Sequence, residues 1–176
     1  PVNFEDLGVD HKSFNNVTHV EVETDNGLLG YGLTSITQSR PVAEVINSVL
    51  GPAIIGMDPT LHERVWDRLY WTATPWGQSG YASHAISAID LALWDSKGRQ
   101  QNLPVWRLLG GAHTNIPIYA TCGFSFMSNS EVIEVVGRVI EKGFTGVKLQ
   151  VGRPGLDYKG KSPSLNQLIK DDIKRV

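Results

Sequence analysis

The stretch Gly146-Val147-Lys148-Leu149-Gln150-Val151-Gly152 has the make-up of a short strand bounded by glycines. Just before it, Lys142-Gly143 ends a helix, with Gly143 as the C-cap candidate. That helix opens at Ser128-Asn129-Ser130-Glu131, which matches a capping box, and carries Val132, Val135, Val136, Val139 and Ile140 on one side. Ahead of the helix, Ile116 to Thr121 has the pattern of another strand. Strand, helix and strand joined by short connections form a βαβ unit, so the two strands should pair in parallel. Beyond Gly152, Arg153 to Ser164 is a polar loop rich in Gly, Pro and Lys, and Leu165 to Val176 starts a further helix.

Residues before about 115 have another character. Val17 to Thr24 alternates apolar and polar residues, Asp25-Asn26-Gly27 is a turn, and Leu28 to Leu33 is the return strand of a hairpin. Pro41 suits a first helical turn, and Val42, Val45, Ile46 and Val49 give a helical stripe that Gly51-Pro52 should end. Asp58 is read as the N-cap of a second helix, with Pro59 behind it and Leu61, Val65, Trp66 and Leu69 as its buried face. A third helix runs from about Tyr81 to Arg99, with Ala82, Ala85, Ile86, Ile89 and Leu93 on one stripe. Pro104 to Leu109 is a short helix closed by Gly110-Gly111. The expected organisation is an α+β domain over residues 1–114, followed over 115–176 by the opening of an alternating β/α domain. Sixty residues do not complete such a domain, since a (β/α)₈ barrel takes about 250. The chain opens Pro1-Val2 without Met and stops inside a helical pattern, so we expect a longer protein.

Composition excludes several classes. Of 176 residues, 41% are apolar and 19% charged, enough to build a core. A net charge of −2 offers no basic surface for nucleic acid. The single cysteine, Cys122, cannot form an internal disulfide, which favours a cytoplasmic setting. No apolar run approaches the length of a membrane span, and no secretory leader opens the chain.

Chemistry concentrates on Lys148 and Gln150. Residues two apart on a strand share a face, and in parallel β/α folds ligands bind at the C-terminal strand ends. A lysine there can hold a substrate carboxylate, or act as a base if burial lowers its pKa. An amide such as Gln150 does not titrate but can orient a substrate oxygen. His11, in the N-terminal loop, is a further ligand-contact candidate. His19, His62, His84 and His113 are scattered without ligand spacing, and Asp90 and Asp95 are expected to be structural. Ser125 and Cys122 have no partnered base, so no nucleophilic triad is indicated. Gly27-Leu28-Leu29-Gly30-Tyr31-Gly32 has the wrong order for a dinucleotide loop and fits the hairpin. Trp66, Tyr70, Trp71 and Trp76 have spacing more typical of core than of a stacking platform.

Ala85-Ile86-Ser87-Ala88-Ile89-Asp90-Leu91-Ala92-Leu93-Trp94-Asp95-Ser96-Lys97-Gly98, followed by Leu103-Pro104 and Leu108-Leu109-Gly110-Gly111, resembles the signature of the mandelate racemase/muconate lactonizing enzyme group of the enolase superfamily. The hairpin with Thr24-Asp25-Asn26-Gly27 and Gly30-Tyr31-Gly32 is similar to that group's capping domain. Tyr70-Trp71 and Gly77-Gln78-Ser79-Gly80 look most like its acid-sugar dehydratases. The resemblance implies an α+β capping domain followed by the start of an α/β (β/α)₇β TIM-like barrel, incomplete in this chain. It also implies Mg²⁺, a small-molecule carboxylate substrate, abstraction of the proton α to the carboxylate, and a homo-oligomer at full length. Lys148 matches the first lysine of the group's Lys-x-Lys motif and is the catalytic candidate. Gln150 replaces the second lysine, which argues against a two-base racemase built on this pair and leaves room for a dehydratase whose base comes from elsewhere. The alternatives are a racemase or epimerase, a cycloisomerase, or an inactive fragment. Residues 1–15, with His11, and Ser35 to Arg40 match the loops that cover the substrate, so His11 and Ser35 join Gln150 as substrate-binding candidates. The metal ligands are expected beyond Val176.

Overall fold

The computed structural model describes residues 16–35, 38–75, 79–124, 126–151 and 164–176. They fall into two compact units, one within Ser13–Ala112 and one within His113–Val176.

In the first unit, β1 (Thr18–Glu23) and β2 (Leu29–Thr34) form an antiparallel hairpin with Val20 opposite Gly32 and Val22 opposite Gly30. The turn is closed by the Gly27 N–H donating to the Thr24 carbonyl at 2.8 Å. One face of the hairpin lies on α4 (Gly80–Gln101). The two glycines of β2 are explained by that contact. A Cβ on Gly30 would fall onto the Ala92 carbonyl and 2.7 Å from Ser96 Cβ, and one on Gly32 would fall onto the Ala88 carbonyl. Ala85, Ala88, Ala92 and Ser96 make a small-residue stripe that lets strand and helix backbones meet. Ile86, Ile89 and Leu93 join Val42, Leu50, Val65 and Leu69 in the core.

Helical structure from Ser39 to Ile54 departs from expectation. α1 (Ser39–Val45) runs into a π-helical turn (Ile46–Leu50) and then α2 (Gly51–Ile54), so Gly51-Pro52 does not stop the helix. The wide turn lets the Gly51 N–H reach the Ile46 carbonyl, five residues back. It also shifts the inward face by one position: Leu50 is fully buried, while Val49 is 46% exposed. Asp58 is likewise not the N-cap of α3 (His62–Ala73). Its carboxylate accepts from the Thr60 N–H and hydroxyl at 2.8 and 2.7 Å, closing a separate turn ahead of the helix. The inward face of α3 is His62, Val65, Leu69 and Ala73, whereas Leu61 and Trp66 are exposed. The aromatics expected in the core are therefore mainly on the surface: Trp66 stacks on Tyr70, Trp71 is 61% exposed, and Trp76 lies outside the described residues. α5 (Val105–Leu108) follows Pro104 and ends at Gly110 and Gly111, as expected.

The second unit contains β3 (Ala120–Cys122), α6 (Asn129–Glu141), β4 (Val147–Leu149) and α7 (Leu165–Arg175). β3 and β4 pair in parallel, with Ala120, Thr121 and Cys122 opposite Val147, Lys148 and Leu149. β3 is shorter than expected. Ile116 to Tyr119 precede the three-residue ladder, and Ile116, Ile118 and Tyr119 are exposed. The capping box is complete: Ser128 Oγ accepts from the Glu131 N–H, and the Glu131 carboxylate accepts from the Ser128 N–H at 2.6 Å. Gly143 has φ +86° just past the helix, and the Phe144 N–H returns to the Val139 carbonyl. Val132, Val135 and Val139 are buried against Cys122 and Met127, with Leu149 packed on the same cluster; Ile140 is 59% exposed. Ser164, assigned to the loop, caps α7 by accepting from the Gln167 N–H. The rest of the expected 153–164 loop lies outside the described residues.

Candidate active site

Alternation along β3 and β4 sorts their side chains into two faces. Ala120, Cys122 and Leu149 pack toward the α6 valines. Lys148 therefore lies on the opposite face, away from the helix, and is exposed. The parallel register puts Thr121 beside it on that face. Gln150 follows β4 by one residue at its C-terminal end and is also exposed. In a sheet rolled with helices outside, that face is the interior, and the C-terminal end is where chemistry sits. Thr121 was absent from the residues singled out by sequence. Parity alone would have flagged it, had the register with β4 been known.

After β3, the described residues Gly123, Phe124, Phe126 and Met127 precede the Ser128 cap of α6. Gly123 has φ +67°, so glycine is favoured by conformation, and a Cβ there would also stand 2.9 Å from Leu149 Cδ2 and displace that methyl. The Met127 N–H donates to the Phe124 carbonyl at 2.9 Å, and the Phe124 and Phe126 rings stack at 5.6 Å. Cys122 is buried, and burial pushes its thiol up, so it is no ready nucleophile.

Ser35 stands directly after β2 in the first unit and is half-buried. His11 lies outside the described residues, as do Gly77 and Gln78. His84, His62, His19 and the two aspartates sit in structural surroundings. His84 Nδ1 is 3.1 Å from Thr34 Oγ1, His62 packs on Trp94, and His19 stacks on Tyr31. Burial pushes the Asp90 carboxyl up. Asp95 Oδ2 accepts from the Tyr31 N–H at 2.9 Å and from Arg99 Nε at 2.7 Å, tying β2 to α4. Burial pushes the Asp95 carboxyl up, but the hydrogen bonds from Arg99 and Tyr31, with the Arg99 charge, outweigh it and hold the pKa below the ordinary range. Among the described residues, no group of three or more His, Cys, Asp or Glu could hold a metal ion, so these residues do not fit a Mg²⁺ ligand set.

Comparison with known proteins accords with this architecture. The profile of the mandelate racemase/muconate lactonizing enzyme N-terminal domain matches residues 7–110. The chain is 32% identical over 159 residues to a 3,6-anhydro-alpha-L-galactonate cycloisomerase of Streptomyces coelicolor, covering 89% of this chain and 40% of that protein. It is 32% identical to a D-mannonate dehydratase of Novosphingobium aromaticivorans, covering 80% of this chain and 35% of that one. Its structure superposes on L-talarate/galactarate dehydratase from Salmonella typhimurium LT2, liganded with Mg and L-lyxarohydroxamate, with a TM-score of 0.75 at 26% identity, covering 97% and 41% of the two chains. The chain belongs to the mandelate racemase/muconate lactonizing enzyme family of the enolase superfamily. Its fold is that family's capping domain followed by the opening strands of an incomplete (β/α)₇β barrel. It spans about two fifths of the length of the relatives it matches.

Proposed function

We propose that the longer enzyme containing this chain removes the proton α to the carboxylate of a hydroxy or sugar acid and eliminates water. The observation that carries this is the position of Lys148 near the C-terminal end of a parallel strand, on the face turned away from α6, with Gln150 directly after that strand. Residues 1–114 serve as the cap and 115–176 begin the barrel. Lys148 is the catalytic residue. It is placed either to hold the substrate carboxylate and the negative charge that builds up beside it or to accept the proton. Gln150 binds a substrate hydroxyl or carboxylate oxygen without taking a proton. Ser35 and His11 belong to the covering loops that select the substrate and exclude water. Mg²⁺ serves the longer enzyme through ligands outside the described residues. We further place the enzyme in the cytoplasm as a homo-oligomer; no described helix is long and apolar enough to cross a membrane.

The decisive experiment replaces Lys148 in the full-length protein and screens acid sugars. Lys148→Met should lower kcat by about 10²–10⁴-fold, the usual yield of a positioned acid–base group. Turnover equal to wild type would refute its catalytic role. Mass spectrometry of the product separates the main reading from its alternative. Loss of one water marks a dehydratase. An isomer of unchanged mass marks a racemase, epimerase or cycloisomerase, a reading favoured by the similarity to the Streptomyces coelicolor cycloisomerase.

A further inference from the structure

Arg175 is the one buried arginine among the described residues, at 7% exposure. Its guanidinium faces main-chain oxygens. Nη2 donates to the Gly123 carbonyl at 2.9 Å and to the Phe124 carbonyl, and Nη1 donates to the Met127 carbonyl at 2.9 Å and to Asn129 Oδ1 at 3.4 Å. Asn129 answers by donating from Nδ2 to the Lys174 carbonyl. All three carbonyls belong to the one loop that leaves the C-terminal end of β3 and ends at the Ser128 cap of α6. A buried guanidinium is costly unless its donors are used, and an apolar side chain could fill the same space. What the guanidinium adds is direction: a rigid planar fork can satisfy several carbonyls at once, which a lysine ammonium on a flexible stem does less well.

We infer that Arg175 is a positioning residue that fixes the backbone at Gly123, Phe124 and Met127, after β3 at the reacting end of the barrel, next to the strand that carries Lys148. The inference rests on the proposal above that this strand end is the reacting end. Arg175 touches no reacting atom in this scheme. It holds the Gly123, Phe124 and Met127 carbonyls, and with them Phe126, which is 52% exposed and stacked on Phe124. The loop then enters the site in one conformation and spends no binding energy on being ordered.

The test uses the full-length protein, with Arg175→Met and Arg175→Lys compared by hydrogen exchange and kinetics. In Arg175→Met, the Met127 amide, which closes the loop onto Phe124, should exchange about tenfold faster or more, with exchange in α4 unchanged. kcat/KM on the acid sugar should fall by about 100-fold, the scale of a misplaced site wall. Arg175→Lys should recover only part of both effects. Faster loop exchange with unchanged kcat and KM would make Arg175 a structural staple and overturn the inference. Unchanged exchange would overturn it outright. If Arg175→Met fails to fold, Arg175→Lys decides: wild-type exchange and kinetics in that variant would overturn the inference. Lys148→Met separates the two proposals. Full turnover in Lys148→Met, alongside a weakened Arg175→Lys enzyme, sinks the role of Lys148 and leaves the positioning role standing. An inactive Lys148→Met beside wild-type Arg175 variants sinks only the positioning role. If no acid sugar is turned over, the proposed function falls, and wild-type loop exchange in Arg175→Lys would still overturn this inference.

Discussion

At the scale of single residues, Asp95 shows how one side chain joins distant parts of the chain. It sits on α4, yet it accepts the N–H of Tyr31 on β2, as well as the Arg99 guanidinium one turn along its own helix. Its carboxyl pKa lies below the ordinary value, so the folded state favours the charged form. That contribution is complete above the unfolded pKa of about 3.9 and is lost as pH falls through the folded value. Asp95→Asn should therefore cost about 1 kcal/mol near pH 7. The gap to wild type should narrow by about pH 3, as measured by urea unfolding at both. A constant gap would show that the carboxylate charge contributes nothing. Sequence spacing placed Asp95 in a structural role, but nothing in the spacing pointed to Tyr31, sixty-four residues away. The place of Lys148 on β4 was legible because strand signals act over a few residues. Arg175 carried no such signal, since three of its four partners are main-chain oxygens that any sequence possesses and the fourth, Asn129, lies forty-six residues away.

At the scale of elements, the π-helical turn decides which apolar residue enters the core. A regular 3.6-residue period points Val49 inward along with Val42, Val45 and Ile46. The extra residue in the turn rotates Leu50 in and Val49 out. Leu50→Ala should cost about 2–5 kcal/mol, while Val49→Ala should stay within about 0.5 kcal/mol. Thermal unfolding of the two variants checks the register, and equal losses would show that the helix is regular in solution. The capping box of α6 stands at the other extreme. Its partners are three residues apart, so the Ser128–Glu131 pair was legible directly and forms as expected.

At the scale of the whole molecule, each unit has its own core, one built on α4 and one on α6. Neither core includes a carboxylate cluster able to bind a cation among the described residues. Calorimetric titration of Mg²⁺ into the isolated 176-residue chain should therefore give no saturable one-to-one binding. The full-length enzyme should lose turnover in chelator and regain it with Mg²⁺. A specific site in the isolated chain would overturn the placement of the ligands elsewhere.

The hairpin, the α4 span, the capped α6 and the parallel βαβ order were all determined by the sequence, because turn, cap and period signals act within a few residues of backbone. The family signature in α4 and its following loop identified the capping domain in the same way. Tertiary structure alone decided the rest. It set how closely β2 approaches α4, and so why Gly30 and Gly32 have no side chains. It limited β3 to the three residues that β4 pairs with, and turned Trp66 and Trp71 outward. It brought Thr121 beside Lys148 and the Arg175 fork onto the β3 loop. These depend on the distances between elements, which are set by packing volume and strand register and leave no periodic trace along the chain.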